Sequence, residues 1–112
     1  MDREINNSKL ETRNSKLVHV LIVDDDRRMV RTISDILKVK GYQTESAFSG
    51  SEALKRIEKG SFDCVLSDIK MPEINGVELY RAIKARQPGL PVVLMTAYAA
   101  DRLVKEGLKE GR

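Results

Sequence analysis

The stretch FDCVLSDIKMPEING, residues 62–76, decides the fold. A short apolar run, Cys64, Val65 and Leu66, ends at a carboxylate, Asp68. A loop marked by Pro72 and Gly76 follows, and a helical pattern begins at Val77. Such a run, bounded by turn residues, reads as a buried strand. In an open parallel sheet the carboxyl ends of the strands are where ligands bind. A carboxylate there is a metal ligand, a nucleophile or both.

Upstream, LVHVLIV (17–23) is a valine-rich run that predicts a strand buried on both faces. After Asp24-Asp25-Asp26, Val30, Ile33, Ile36 and Leu37 recur at helical spacing, and Gly41 supplies a left-handed stop. YQTESA (42–47) predicts a strand nearer an edge. Ser49 with Glu52 forms a capping box opening a helix through Ala53, Leu54 and Ile57 to Gly60. Downstream, Val77, Leu79, Tyr80 and Ile83 mark a helix stopped by Pro88-Gly89. PVVLMT (91–96) predicts a fourth strand, and Leu103, Val104 and Leu108 a fourth helix over 99–110. The alternation β-α-β-α-β-α-β-α implies right-handed crossovers and a parallel sheet covered by helices on both sides. Residues 1–16 carry few apolar groups and are expected to form a disordered polar tail, leaving one domain over 17–112.

Composition narrows the function classes. The 112 residues are 41% hydrophobic and 33% charged, which suits one globular domain. No apolar run approaches the ~20 residues that span a bilayer, and the N-terminus lacks a signal peptide's apolar centre. No membrane association and a cytoplasmic location are expected. One cysteine excludes an internal disulfide and, with one histidine, argues against a zinc site. Cys64 reads as core and His19 as a strand-edge residue. The net charge of +3 is spread over helix-like faces and aromatics make up only 4%, so no direct nucleic-acid binding is expected.

Parallel strands send their carboxyl ends to one rim. Asp24-Asp25-Asp26, Asp68 and Thr96 therefore converge. Each alone reads as a turn or capping residue, and Asp26 suits the N-cap of the first helix. Together, the carboxylates repel one another unless a cation sits among them, and hard oxygen ligands suit Mg²⁺. With a hydroxyl to meet a phosphoryl oxygen, the set describes an aspartate that accepts a phosphoryl group.

LIVDDD, VLSDIKMPEINGVEL and VVLMTAYA, in this order and spacing, resemble the motifs of response-regulator receiver domains, the CheY-like phosphoacceptors of two-component signalling. The resemblance covers roughly residues 18–111. It implies a flavodoxin-like, doubly wound sheet with strand order 2-1-3-4. It also implies that Asp68 takes a phosphoryl group from the phosphohistidine of a sensor histidine kinase or phosphotransfer protein, and that the domain then switches conformation without turning over a separate substrate. Asp25, Asp68 and the Lys70 backbone carbonyl would bind Mg²⁺ directly, and Asp24 through a metal-bound water. Thr96 would be the switch hydroxyl, and the backbone N–H groups of Ile69 and Ala97 would hold phosphoryl oxygens. Lys70 and Tyr98 stand where the family tunes the lifetime of the phosphorylated state. Both are bulky, so slow self-hydrolysis is expected.

The chain departs from the family at its end. Only four of the usual five βα units are expected, and the lysine and aromatic of the fifth strand have no counterpart. Truncation of a longer receiver accounts best for this; a homodimer covering the incomplete edge, or phosphate binding without normal switching, are the alternatives. Two other functions compete. A receiver-like adaptor would act without phosphorylation. A haloacid-dehalogenase-like phosphatase would use Asp24 and Asp26 in an Asp-x-Asp motif with Asp24 as nucleophile, although Arg28 stands where that family has Thr or Val.

Overall fold

The structure is a computed structural model that describes residues 17–96 and Lys105. Its elements run in strict alternation: β1 (His19–Val23), α1 (Arg27–Val39), β2 (Gln43–Ala47), α2 (Gly50–Lys59), β3 (Cys64–Asp68), α3 (Gly76–Arg86) and β4 (Val92–Met95). The tail expected over 1–16 and the fourth helix expected over 99–110 lie outside the described residues, Lys105 excepted, which is helical.

Among the described residues all strand pairings are parallel, and the sheet order is β2-β1-β3-β4, the predicted 2-1-3-4. The first strand starts two residues later than its apolar run. Pairing with β2 begins at His19 opposite Gln43, and Leu17 and Val18 lie exposed ahead of it.

β1 explains the two layers. Its side chains alternate, so Leu21 and Val23 enter one core and Val20 and Ile22 the other. The first core is closed by Ala53 and Ile57 of α2 and by Leu79 and Ile83 of α3. The second is closed by Val30 and Ile33 of α1, with Cys64 packed at its margin as the core reading of that thiol requires. Each fully buried Ile or Leu contributes about 1.5–3 kcal/mol, so both faces of the central strands are held firmly while their ends stay free for chemistry.

Local signals set the helix ends. The Asp26 carboxylate caps α1 by accepting from the N–H groups of Arg28 (3.1 Å) and Met29 (3.2 Å). Gly41, at φ +99°, ends it: the Gly41 N–H donates to Lys38 O and the Tyr42 N–H to Leu37 O, the paired bonds of a left-handed stop. The box predicted at Ser49 forms only by half. The Ser49 hydroxyl accepts from the Glu52 N–H at 3.1 Å, but the Glu52 carboxylate accepts from the Phe48 N–H instead of that of Ser49. A complete box stands at α3, where Asn75 accepts from the Glu78 N–H and Glu78 from the Asn75 N–H.

His19 sits where β1 begins. Its Nδ1 meets Ser61 O at 2.9 Å, its Nε2 meets Glu45 at 3.1 Å, and its ring stacks obliquely on Phe62. It belongs to the opposite end of the sheet from the acidic residues, in the structural role that its sequence position suggested.

Candidate functional site: an acidic rim at the end of the sheet

Two neighbouring central strands, β1 and β3, deliver the carboxylates. Asp24 extends β1 by one ladder bond, its N–H donating to Ala47 O at 3.1 Å. Asp68 is the last residue of β3 and lies opposite Met95 of β4. One carboxylate oxygen from each of Asp24, Asp25 and Asp68 lies within 4.8 Å of the others. Asp24 is buried, Asp68 half-buried and Asp25 exposed, so the group opens to solvent through Asp25. The Asp26 carboxylate is engaged in the α1 cap and is not among the three clustered carboxylates.

Burial is the main cause that raises the Asp24 carboxyl from 3.8 to about 6. Repulsion from Asp68 and Asp25 adds to it, and the Asp26 N–H, 3.0 Å from Asp24 Oδ1, opposes it. Asp68 is also raised, by burial first and by repulsion from Asp25 and Asp26, while the backbone N–H groups of Ile69 and Lys70 pull it down. Among the described residues no lysine or arginine forms an ion pair with Asp24, Asp25 or Asp68. Three hard oxygen donors crowded together suit a divalent cation such as Mg²⁺.

The loop after Asp68 is pinned rather than loose. Met71 is buried in the α2/α3 core, Ile74 packs against that core, and the Gly76 N–H closes the loop on Ile69 O at 2.8 Å. Gly76 must be glycine here, since a Cβ would stand 2.3 Å from Asp68 O and 2.8 Å from Ile69 Cα. Gly50 at the start of α2 makes a similar approach, with Ile74 Cβ 2.7 Å from where its own Cβ would be. Ser67, fully buried, donates its hydroxyl to Asp68 O at 2.9 Å. Neither Ser67 nor Gly50 stood out in the sequence, because packing against a backbone leaves no residue pattern.

The remaining predicted residues fall as follows. The Ile69 N–H donates to Asp68 Oδ1 at 2.9 Å and lies beside the acceptor. The Lys70 side chain is exposed on the same rim. Thr96, exposed, directly follows Met95, whose carbonyl accepts from the Ile69 N–H at 3.1 Å. Ala97 and Tyr98 lie outside the described residues.

A family model described as the response regulator receiver domain matches residues 20–112. The transcriptional regulatory protein ZraR of Escherichia coli (strain K12) is 37% identical over 94 residues, which cover 84% of this chain and 21% of that protein. The chain thus spans about a fifth of that relative's length. Among solved structures, a CheY-like response regulator receiver domain protein from Methanospirillum hungatei JF-1 superposes with a TM-score of 0.71 at 33% identity, over 82% of this chain and 76% of that one. The response regulator protein TrrA from Thermotoga maritima, solved in complex with Mg(2+)-BeF, gives a TM-score of 0.71 at 32% identity over 81% of each chain.

Proposed function

Because this chain belongs to the response regulator receiver family, we propose that Asp68 is its phosphoacceptor and that Asp25 and Asp68 directly, and Asp24 through a metal-bound water, would hold the Mg²⁺ on which the reaction depends. The observation that carries this assignment is the convergence of Asp24, Asp25 and Asp68, without Asp26, at the end of the two central strands. TrrA, a relative by structure, was solved in complex with Mg(2+)-BeF, which supports a divalent cation in the reading of this chain. When bound, Mg²⁺ would neutralise charge spreading over the phosphoryl oxygens.

The chain's own groups define the transfer. Asp68 Oδ1 accepts from the Ile69 N–H, and the attacking atom is a carboxylate oxygen of Asp68. It forms a bond to the phosphorus of a phosphohistidine as the P–N bond breaks, and the electron pair returns to the imidazole nitrogen, which takes up a proton. The Ile69 N–H, and that of Ala97, then stabilise phosphoryl oxygens, and Thr96 supplies the hydroxyl that moves toward them. The Lys70 carbonyl would be a further protein ligand of the metal. The exposed Lys70 side chain, with Tyr98, shields the acyl phosphate from water and slows its hydrolysis.

The partner that delivers the phosphoryl group is a sensor histidine kinase or phosphotransfer protein in the cytoplasm. A second copy of the chain meeting β4, where Val93 is 47% exposed, is a further partner in this reading. The domain consumes one phosphoryl group per cycle and has no separate substrate. A small phosphodonor such as acetyl phosphate, supplied with Mg²⁺, tests the assignment. Label should appear on the wild type and be lost in Asp68→Asn. Retention in Asp68→Asn with loss in Asp24→Asn would move the nucleophile to Asp24, the phosphatase chemistry, and no label at all would favour an adaptor.

A further inference from the structure

We propose that the groove between α1 and the edge strand β2 binds an extended acidic peptide segment, added beside β2 as a further strand. The groove has a volume of about 350 Å³, and Arg27, Arg31 and Lys38 of α1 line it together with the hydroxyls of Ser34 and Ser46. Among the described residues none of these three cations forms an ion pair. One carboxylate, Asp35, also lines the groove, which leaves it with a net positive charge. Phe48 holds the guanidinium of Arg27, 4.0 Å above its ring. That contact fixes the cation at the mouth while leaving its N–H edge free to donate.

The shape of the charge selects the ligand. Arg27 and Lys38 are separated by about 16 Å along the helix axis at the ordinary rise. β2, with five residues, runs about 16 Å at the ordinary strand rise. A single phosphate would satisfy one end of this stripe, whereas an extended chain reaches both.

The backbone of β2 supplies the other half of the site. The Gln43 N–H donates to Val18 O, and Ala47 O accepts from the Asp24 N–H, so the odd-numbered residues of β2 pair with β1. The N–H and C=O groups of Thr44 and Ser46 therefore point away from β1, to the edge that no other described strand pairs with. The Thr44 hydroxyl meets that of Ser34 on α1, which puts the side chains of Thr44 and Ser46 on the groove side. On the opposite face Glu45 is committed to Arg56 and His19. A strand added at this edge gains main-chain hydrogen bonds, and every second side chain faces the cations. The recognised pattern is thus a carboxylate at alternate positions. This site is separate from the acidic rim and does not depend on phosphorylation.

The test uses the 112-residue chain and a fluorescent peptide in which glutamate alternates with threonine, compared with a peptide of the same composition whose glutamates are grouped in one block. The alternating peptide should bind at least tenfold more tightly. The double variant Arg31→Ala/Lys38→Ala, both residues being exposed, should weaken it at least tenfold while the far-ultraviolet circular dichroism stays unchanged. Hydrogen exchange at the Thr44 and Ser46 amides should slow on binding. Equal affinity for both peptides, no loss in the double variant, or unchanged exchange at those amides would overturn the proposal. So would tighter binding of a single-stranded oligonucleotide or of inorganic tripolyphosphate through the same cations.

Discussion

Gly76 lies so close to the backbone of Asp68 that a methyl group added to it would meet the Asp68 carbonyl oxygen at 2.3 Å. That contact ties the first residue of α3 to the strand end that carries the acceptor. Gly76→Ala must push one of the two away, at a cost of roughly 1–3 kcal/mol for overpacking. Urea denaturation should show that loss, and labelling of Asp68 by a phosphodonor should slow at least tenfold in protein that remains folded. An alanine variant with unchanged stability and unchanged labelling would show that the close approach relaxes freely.

Asp24 predicts an unusual pH dependence. Its carboxyl is raised from 3.8 to about 6, so the folded protein binds a proton more tightly than the unfolded chain does. Stability from this group is fully present below its ordinary range and is lost as the pH rises through about 6. With EDTA present, this group should make the protein roughly 1 kcal/mol more stable at pH 5 than at pH 7. Asp68, raised in the same direction, adds to the trend. The urea midpoint of Asp24→Asn should vary less with pH over this interval than that of the wild type.

The same carboxyl governs the cation. A metal binds the ionised form, so proton and metal compete. Apparent Mg²⁺ affinity should hold steady above about pH 7 and weaken progressively below about 6, by up to about tenfold per pH unit per proton displaced. Isothermal titration across that interval measures it directly. An affinity that stays level down to pH 5 would place the ion away from Asp24.

Asn75 gives a test of structure alone. Its side chain and that of Glu78 satisfy each other's backbone N–H groups at 2.8 Å and 2.9 Å. Asn75→Ala should cost about 1 kcal/mol of stability, read as a lowered urea midpoint. Asn75→Asp, which keeps the acceptor, should recover most of it. If the aspartate variant is no better than alanine, the loss came from the loop and not from the cap.

Much of this was legible in the sequence, for identifiable reasons. Val20, Leu21, Ile22 and Val23 are apolar without interruption because β1 is covered on both faces, and that pattern led to the parallel sheet. Gly41 and Asp26 announced the ends of α1 because one needs a left-handed backbone and the other a short acceptor. Asp24, Asp25 and Asp68 could be brought together because parallel strands share a rim. The box at Asn75 was missed because Gly76 looked like the loop's last residue, whereas it is the first of the helix. The Glu52 carboxylate went to Phe48 instead of Ser49 through local geometry that spacing alone does not encode. The groove along α1 was read as solvated surface, since cations spaced along a helix acquire meaning only once an edge strand is known to lie beside them.

The most direct test of the central claim is the chemical identity of residue 68 after phosphorylation. The chain is incubated with Mg²⁺ and acetyl phosphate, reduced with borohydride, which converts an aspartyl phosphate to homoserine, and digested for mass spectrometry. Homoserine is expected at position 68, dependent on Mg²⁺ and absent in the Asp24→Asn/Asp25→Asn variant. Homoserine at position 24, or none anywhere while a well-characterised receiver domain treated in parallel is converted, would contradict it.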